Sequence, residues 1–135
     1  TKRMKETILL YHIADQDRFH AIQRALLPLG MRIRMVQKEE YLQPVGFLAG
    51  VKEIQPGKEQ YEGEELEKEM MVMAGLSSGR IDAVLMALRR SKSGRIDYKA
   101  VLTPTNSQWD SLTLYRELSR EHAAMSGQET SEEER

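Results

Sequence analysis

The side chains able to do chemistry in this 135-residue sequence fall into a few short groups. Ser77-Ser78-Gly79 and Thr103-Pro104-Thr105-Asn106-Ser107 are polar turns, each standing where an apolar run passes into an amphipathic one. A hydroxyl or amide oxygen there caps a helix, and the free backbone N–H groups beside it also hold a phosphate or carboxylate. Ser77, Ser78, Thr103, Thr105 and Asn106 are therefore candidate ligands for a small anion, with helix capping as the competing use of the same atoms. His12 ends an apolar run, the position where α/β sheets hold ligands, and Asp15 or Asp17 could orient it as a general base. The alternative for His12 is a buried or capping role. Arg89, Arg90, Lys92, Arg95 and Lys99 form a basic cluster that could follow the phosphates of a nucleic acid, or simply make a solvated face. Arg32 and Arg34 extend it if the strands that carry them expose the same side.

Other chemistries lack their residues. There is no cysteine, which removes disulfides, thiolate metal sites and cysteine nucleophiles and fits a reducing compartment. His12, His20 and His122 lack the spacing of a metal site. Neither a Gly-x-Gly-x-x-Gly or Walker loop nor a Gly-x-Ser-x-Gly elbow is present, so nucleotide binding and a hydrolase triad have no anchor. No metal and no cofactor is expected. The apolar runs are far shorter than the roughly 20 residues that cross a bilayer and no signal-peptide pattern opens the chain, so the expectation is a cytoplasmic protein without membrane contact.

These groups must be positioned by two similar stretches. Thr7–Ile13 reads as a strand, and Phe19, Ile22, Ala25, Leu26 and Leu29 make the apolar face of a helix that Pro28 and Gly30 end. Met31, Ile33 and Met35 alternate with Arg32 and Arg34, the period of a strand with one wet face. Residues 39–50 read as a short helix with Pro44 near its first turn. The second stretch repeats the order. Met70–Ala74 is a fully apolar strand, and Ile81, Val84, Leu85 and Leu88 mark a helix from about Ser78 to Arg90. Tyr98–Leu102 is a strand, and the Thr103–Asn106 turn opens a last helix with Trp109, Leu112, Tyr115 and Leu118. Met70, Met71, Met73 and Met86 read as adaptable core filler.

An offset of 62 residues lays Arg18-Phe19-His20-Ala21-Ile22 over Arg80-Ile81-Asp82-Ala83-Val84, which suggests an internal duplication with units at about 7–50 and 70–122. Between them, residues 51–69 read as a solvated acidic connector, and the tail 126–135 lacks the apolar content for a core and should be disordered. Residues 1–125 then form one domain. Strands apolar on both faces belong in the centre, so strands one and three should be central. The expected fold is α+β, a ferredoxin-like four-stranded sheet of two interlocked βαβα units; the alternative is an α/β flavodoxin-like parallel sheet in the order 2-1-3-4.

The segment Lys99-Ala-x-x-Thr103-x-x-Asn106-x-x-Trp109 resembles an uncharacterised bacterial family of small α/β proteins filed as a domain of unknown function. The resemblance would span about residues 7 to 122, and it implies no activity, cofactor or catalytic residue.

The functional expectation is a non-catalytic binding or regulatory module for a small anionic ligand or a protein partner. A nucleic-acid accessory protein using the basic cluster, and a small hydrolase or isomerase using His12, are the alternatives. A homo-oligomer is expected because only short elements are available to cover the second face of the central strands.

Overall fold

The computed structural model describes residues 5–133, and side chains as far as residue 125. Strands β1 (Thr7–Tyr11) and β3 (Met70–Ala74) are the two runs without polar alternation, and all their residues are buried. A strand of that kind needs a neighbour on each edge and cover on each face. The sheet order β2-β1-β3-β4 provides the neighbours, with β2 (Arg32–Val36) and β4 (Tyr98–Val101) as edges.

β1 pairs parallel with β2, β3 pairs parallel with β4, and β1 meets β3 antiparallel with Leu9 opposite Val72. The result is an open mixed sheet that matches neither expected layout as a whole. A ferredoxin-like sheet splits each β-α-β unit with a strand of the other. Here helix α1 (Gln16–Leu26) returns the chain to the strand beside β1, and helix α3 (Ser78–Ser91) returns it to the strand beside β3. The strand order is that of the parallel alternative, whereas the reversal at the centre is the one a twofold imposes. Right-handed crossovers on strands of opposite direction, extending to opposite sides, place both helices on one face. There Ile22, Leu26 and Val84 pack on Ile8, Leu10, Met71 and Met73.

The other face carries Leu9, Tyr11, Met70 and Val72 beneath helix α2 (Val45–Ala49), helix α4 (Ser111–Glu133) and part of the connector. The helix expected over 39–50 is two pieces, a 3-10 turn at Lys38–Glu40 and α2, because Pro44 is extended at φ −58°, ψ 135°. The connector is not merely solvated. Ile54 and Leu66 are buried, and the Tyr61 ring lies 5.8 Å from that of Tyr41. Gln43 and Gly57 exchange two hydrogen bonds of 3.0 and 2.7 Å. The chain thus covers both faces of its own central strands, which removes the burial reason for expecting an oligomer.

Two arginines tie the halves together reciprocally. Arg18, in the first turn of α1, pairs with Glu69 just before β3 and donates to Ser93 O and Arg95 O in the α3–β4 loop. Arg80, in the first turn of α3, pairs with Glu6 just before β1 and donates to Leu29 O in the α1–β2 loop. Arg80 holds the Glu6 carboxyl below its ordinary value, chiefly through its hydrogen bond. The backbone of α4 runs to Glu133; the side chains of residues 126–135, and with them the expectation of a disordered tail, lie outside the described residues. Among the described residues no helix is long and apolar enough to cross a membrane.

Candidate functional site

The end of α3 and the loop after it build a cleft. Lys92 closes the helix in the left-handed region at φ 56°, and Gly94 follows at φ 96°, where a glycine has no Cβ to strain. This double reversal turns the chain back along the helix, and Arg18 pins the loop by holding Ser93 O at 2.7 Å and Arg95 O at 2.9 Å. Arg95 and Lys99 are thereby brought beside Arg89 and Lys92, around a cleft of ≈ 520 Å³ whose apolar lining is Leu85, Leu88 and Ile96.

The charges in this cleft are unbalanced. Among the described residues, Arg18, Arg34, Arg80 and Arg120 each have a carboxylate oxygen within 4.0 Å, and none of Arg89, Lys92, Arg95 and Lys99 does. Lys99 registers the imbalance: burial, then the positive charges of Arg95 and Arg89, push its ammonium below the usual lysine range, with Asp97 opposing in part. Its Nζ donates to Ile96 O at 3.2 Å. Positive donors above an apolar lining are what an anion attached to an apolar body requires.

The basic cluster of the sequence is thus divided. Arg90 lies on a different side of α3, lining the groove toward α1. Arg32 and Arg34 do not extend the cluster, because β2 is the opposite edge of the sheet and Arg34 turns to the α2 face, where it pairs with Glu40 and donates to Leu48 O at 3.0 Å.

At the polar turns the donors find partners within the chain. Thr103 N donates to Asn106 Oδ1 at 2.8 Å, Asn106 N to Thr103 Oγ1 at 3.1 Å, and the Asn106 amide to Val101 O at 3.1 Å. The turn opens only a 3-10 segment, Asn106–Gln108, and α4 starts later at Ser111, with Asp110 accepting from Thr113 N at 2.8 Å. Thr105 is exposed at the start of the 3-10 segment. Trp109 packs into the α2 side of the core, and its carbonyl accepts from Val45 N at 2.8 Å. Ser77 caps α3 by accepting from Arg80 N at 3.3 Å, and Ser78 is exposed as the first helical residue.

His12 follows β1 in the left-handed region at φ 62°. The carboxylate near it is Glu65 of the connector, 3.7 Å from Nδ1, longer than a hydrogen bond. Asp15 is occupied at the α1 N-terminus, where it accepts from Asp17 N and Arg18 N. Glu65 accepts from the Tyr41 hydroxyl, and Tyr11 shares a 2.8 Å hydrogen bond with Ser111. Burial pushes both phenols above the ordinary tyrosine range, and for Tyr41 the Glu65 carboxylate adds to it. The Tyr41 bond holds the connector to the segment before α2, and the Tyr11 bond holds β1 to the start of α4.

Leu85, Leu88, Ile96 and Gly94 line the cleft without being marked by the sequence as site residues, since the first three follow an ordinary core rhythm. The Lys92-x-Gly94 spacing was the available signal of a tight return.

Residues 69–125 match the model of a family described as Domain of unknown function (DUF3783). The match is narrower than the span expected from the resemblance, covering the second half from the end of the connector into α4, and all residues lining the basic cleft fall within it. No curated protein and no solved structure matches the chain.

Proposed function

We propose that the chain is a non-catalytic binding module for a small anion with an apolar part, taken up between α3 and β4 by Arg89, Lys92, Arg95 and Lys99. The observation that carries this reading is the cleft whose four cations have no carboxylate within 4.0 Å among the described residues, while Arg18, Arg34 and Arg80, which tie elements of the fold together, each have one. Burial, and then the positive charge clustered beside it, disfavour the charged form of Lys99, and a bound anion offsets the second of these. The polar turns at Ser77 and Thr103–Asn106 are weaker claimants, since their side chains and amides already satisfy one another.

Thermal shift and calorimetric titration with inorganic phosphate, a medium-chain acyl phosphate and a short oligonucleotide test it. The acyl phosphate should stabilise the fold most, and Arg95→Ala with Lys99→Ala should weaken its binding by roughly tenfold or more, as loss of charge-assisted hydrogen bonds does. Binding that is untouched by the double variant sinks the reading. Preferential, salt-steep binding of the oligonucleotide would instead favour a nucleic-acid accessory role.

We also read the two halves as copies of one ancestral unit. The reciprocal clamps of Arg18 on Glu69 and Arg80 on Glu6 support it, because the arginines coincide at the 62-residue offset and each binds the other half at a corresponding place. Relatives that span both halves should keep or lose these arginines together; independent loss would count against a common origin.

A further inference from the structure

A second stripe of α3 carries a pattern unrelated to the cleft. Asp82, Met86 and Arg90 stand four residues apart and form one ridge along the helix. All three are exposed, Met86 at 47%, contrary to its reading as core filler. Beside this ridge runs a shallow groove of ≈ 690 Å³, walled on the α1 side by Ala25, Pro28 and Leu29. Leu27, next to Pro28, is 76% exposed. Among the described residues, neither Asp82 nor Arg90 has an opposite charge within 4.0 Å.

The signs on this ridge favour one occupant. An acid and a base lie equally far on either side of an exposed methionine. A twofold contact matches residue i with j and j with i. If two such helices cross antiparallel at Met86, Asp82 of each copy faces Arg90 of the other, twice over, while the apolar centres meet. A parallel crossing in register sets like charge against like.

We propose that this surface is the contact between two copies of the chain, joined α3 to α3 in antiparallel across a twofold at Met86. Ala83 beside the ridge leaves room for the close approach that i±4 ridges need when they interdigitate. The proposal stands apart from anion binding, which uses a different side of the helix.

Light scattering and sedimentation over a concentration series test it on the full chain. The wild type should reach twice the monomer mass of 15.5 kDa. Arg90→Glu and Asp82→Arg should each raise the dimer dissociation constant at least tenfold, with unchanged circular dichroism. An equimolar mixture of the two single variants should associate, since each then opposes two acids to two bases. The double variant Asp82→Arg with Arg90→Glu should dimerise as the wild type does. A wild type that stays monomeric throughout overturns the proposal. So do single variants that remain dimeric, or a mixture that fails to associate. Arg95→Ala with Lys99→Ala should leave the dimer intact, so loss of ligand binding and loss of association are read separately.

Discussion

The two faces of the sheet are covered by different means. One lies under α1 and α3, two helices with a continuous apolar stripe, and the residues packed there are nearly all aliphatic or methionine. The other lies under a five-residue helix, the start of α4 and pieces of the connector, and its contacts are threaded with tyrosines whose rings meet at 5.7 Å (Tyr11–Tyr41) and 5.2 Å (Tyr98–Tyr115). A long amphipathic helix buries its stripe whatever its sequence neighbours do. Short pieces need polar pins and close fits to stay in place, and the second face is where those occur.

Removing bulk from either face should cost the most and cost about the same. Ile22→Ala under α1 and Leu48→Ala in α2 should each lose ~2–5 kcal/mol in denaturant unfolding, as both side chains are fully buried. The sheet separates them, so the double variant should be additive to within about 0.5 kcal/mol. Strong coupling would mean the faces are not separate.

Close fit is tested at Gly46. A Cβ there would collide with Ile54 Cδ1 and lie 2.9 Å from both Ser107 Cβ and the Ser107 carbonyl oxygen. Gly46→Ala should destabilise by about 1–3 kcal/mol, although alanine is the better helix former. An equal or raised melting temperature would show that α2 has room to shift.

Polar pinning is tested at Tyr41→Phe, which removes the donor to Glu65. The expected loss is about 1 kcal/mol, with faster amide exchange concentrated in residues 57–66 and little change in α1. In the wild type, an absorbance titration should find the Tyr41 and Tyr11 phenols still neutral above the ordinary tyrosine value of 10.0.

The smallest effect is electrostatic and belongs to the tie between the halves. The folded Glu6 carboxyl is held below its ordinary value of 4.5, so its contribution is complete above that value and fades as pH falls through the folded value. The stability difference between wild type and Glu6→Gln should therefore be flat near neutrality and shrink below pH 4.5. A difference that grows in acid would contradict the pairing with Arg80.

Legibility followed the same division. The α1 and α3 stripes, the central placement of β1 and β3, and the wet edges were readable because each is a periodic property of a short window. The part played by Ile54, Tyr61 and Leu66 was not, since isolated apolar residues among glutamates carry no period. Thr103–Asn106 is dense in polar groups, yet that density serves itself through reciprocal hydrogen bonds. The basic cluster was visible as composition, but its partition between two sides of α3 was not.

The sequence by itself determined which strands are buried on both faces and where α1 and α3 begin and end. Those follow from apolar periodicity and capping, which act within a few residues. Tertiary structure alone decided that each crossover returns beside its own first strand, that the connector closes the second face, and that Arg89, Lys92, Arg95 and Lys99 share a cleft while Arg90 does not. These depend on contacts between residues distant in sequence, set by the hand of the crossovers and by two left-handed residues after α3.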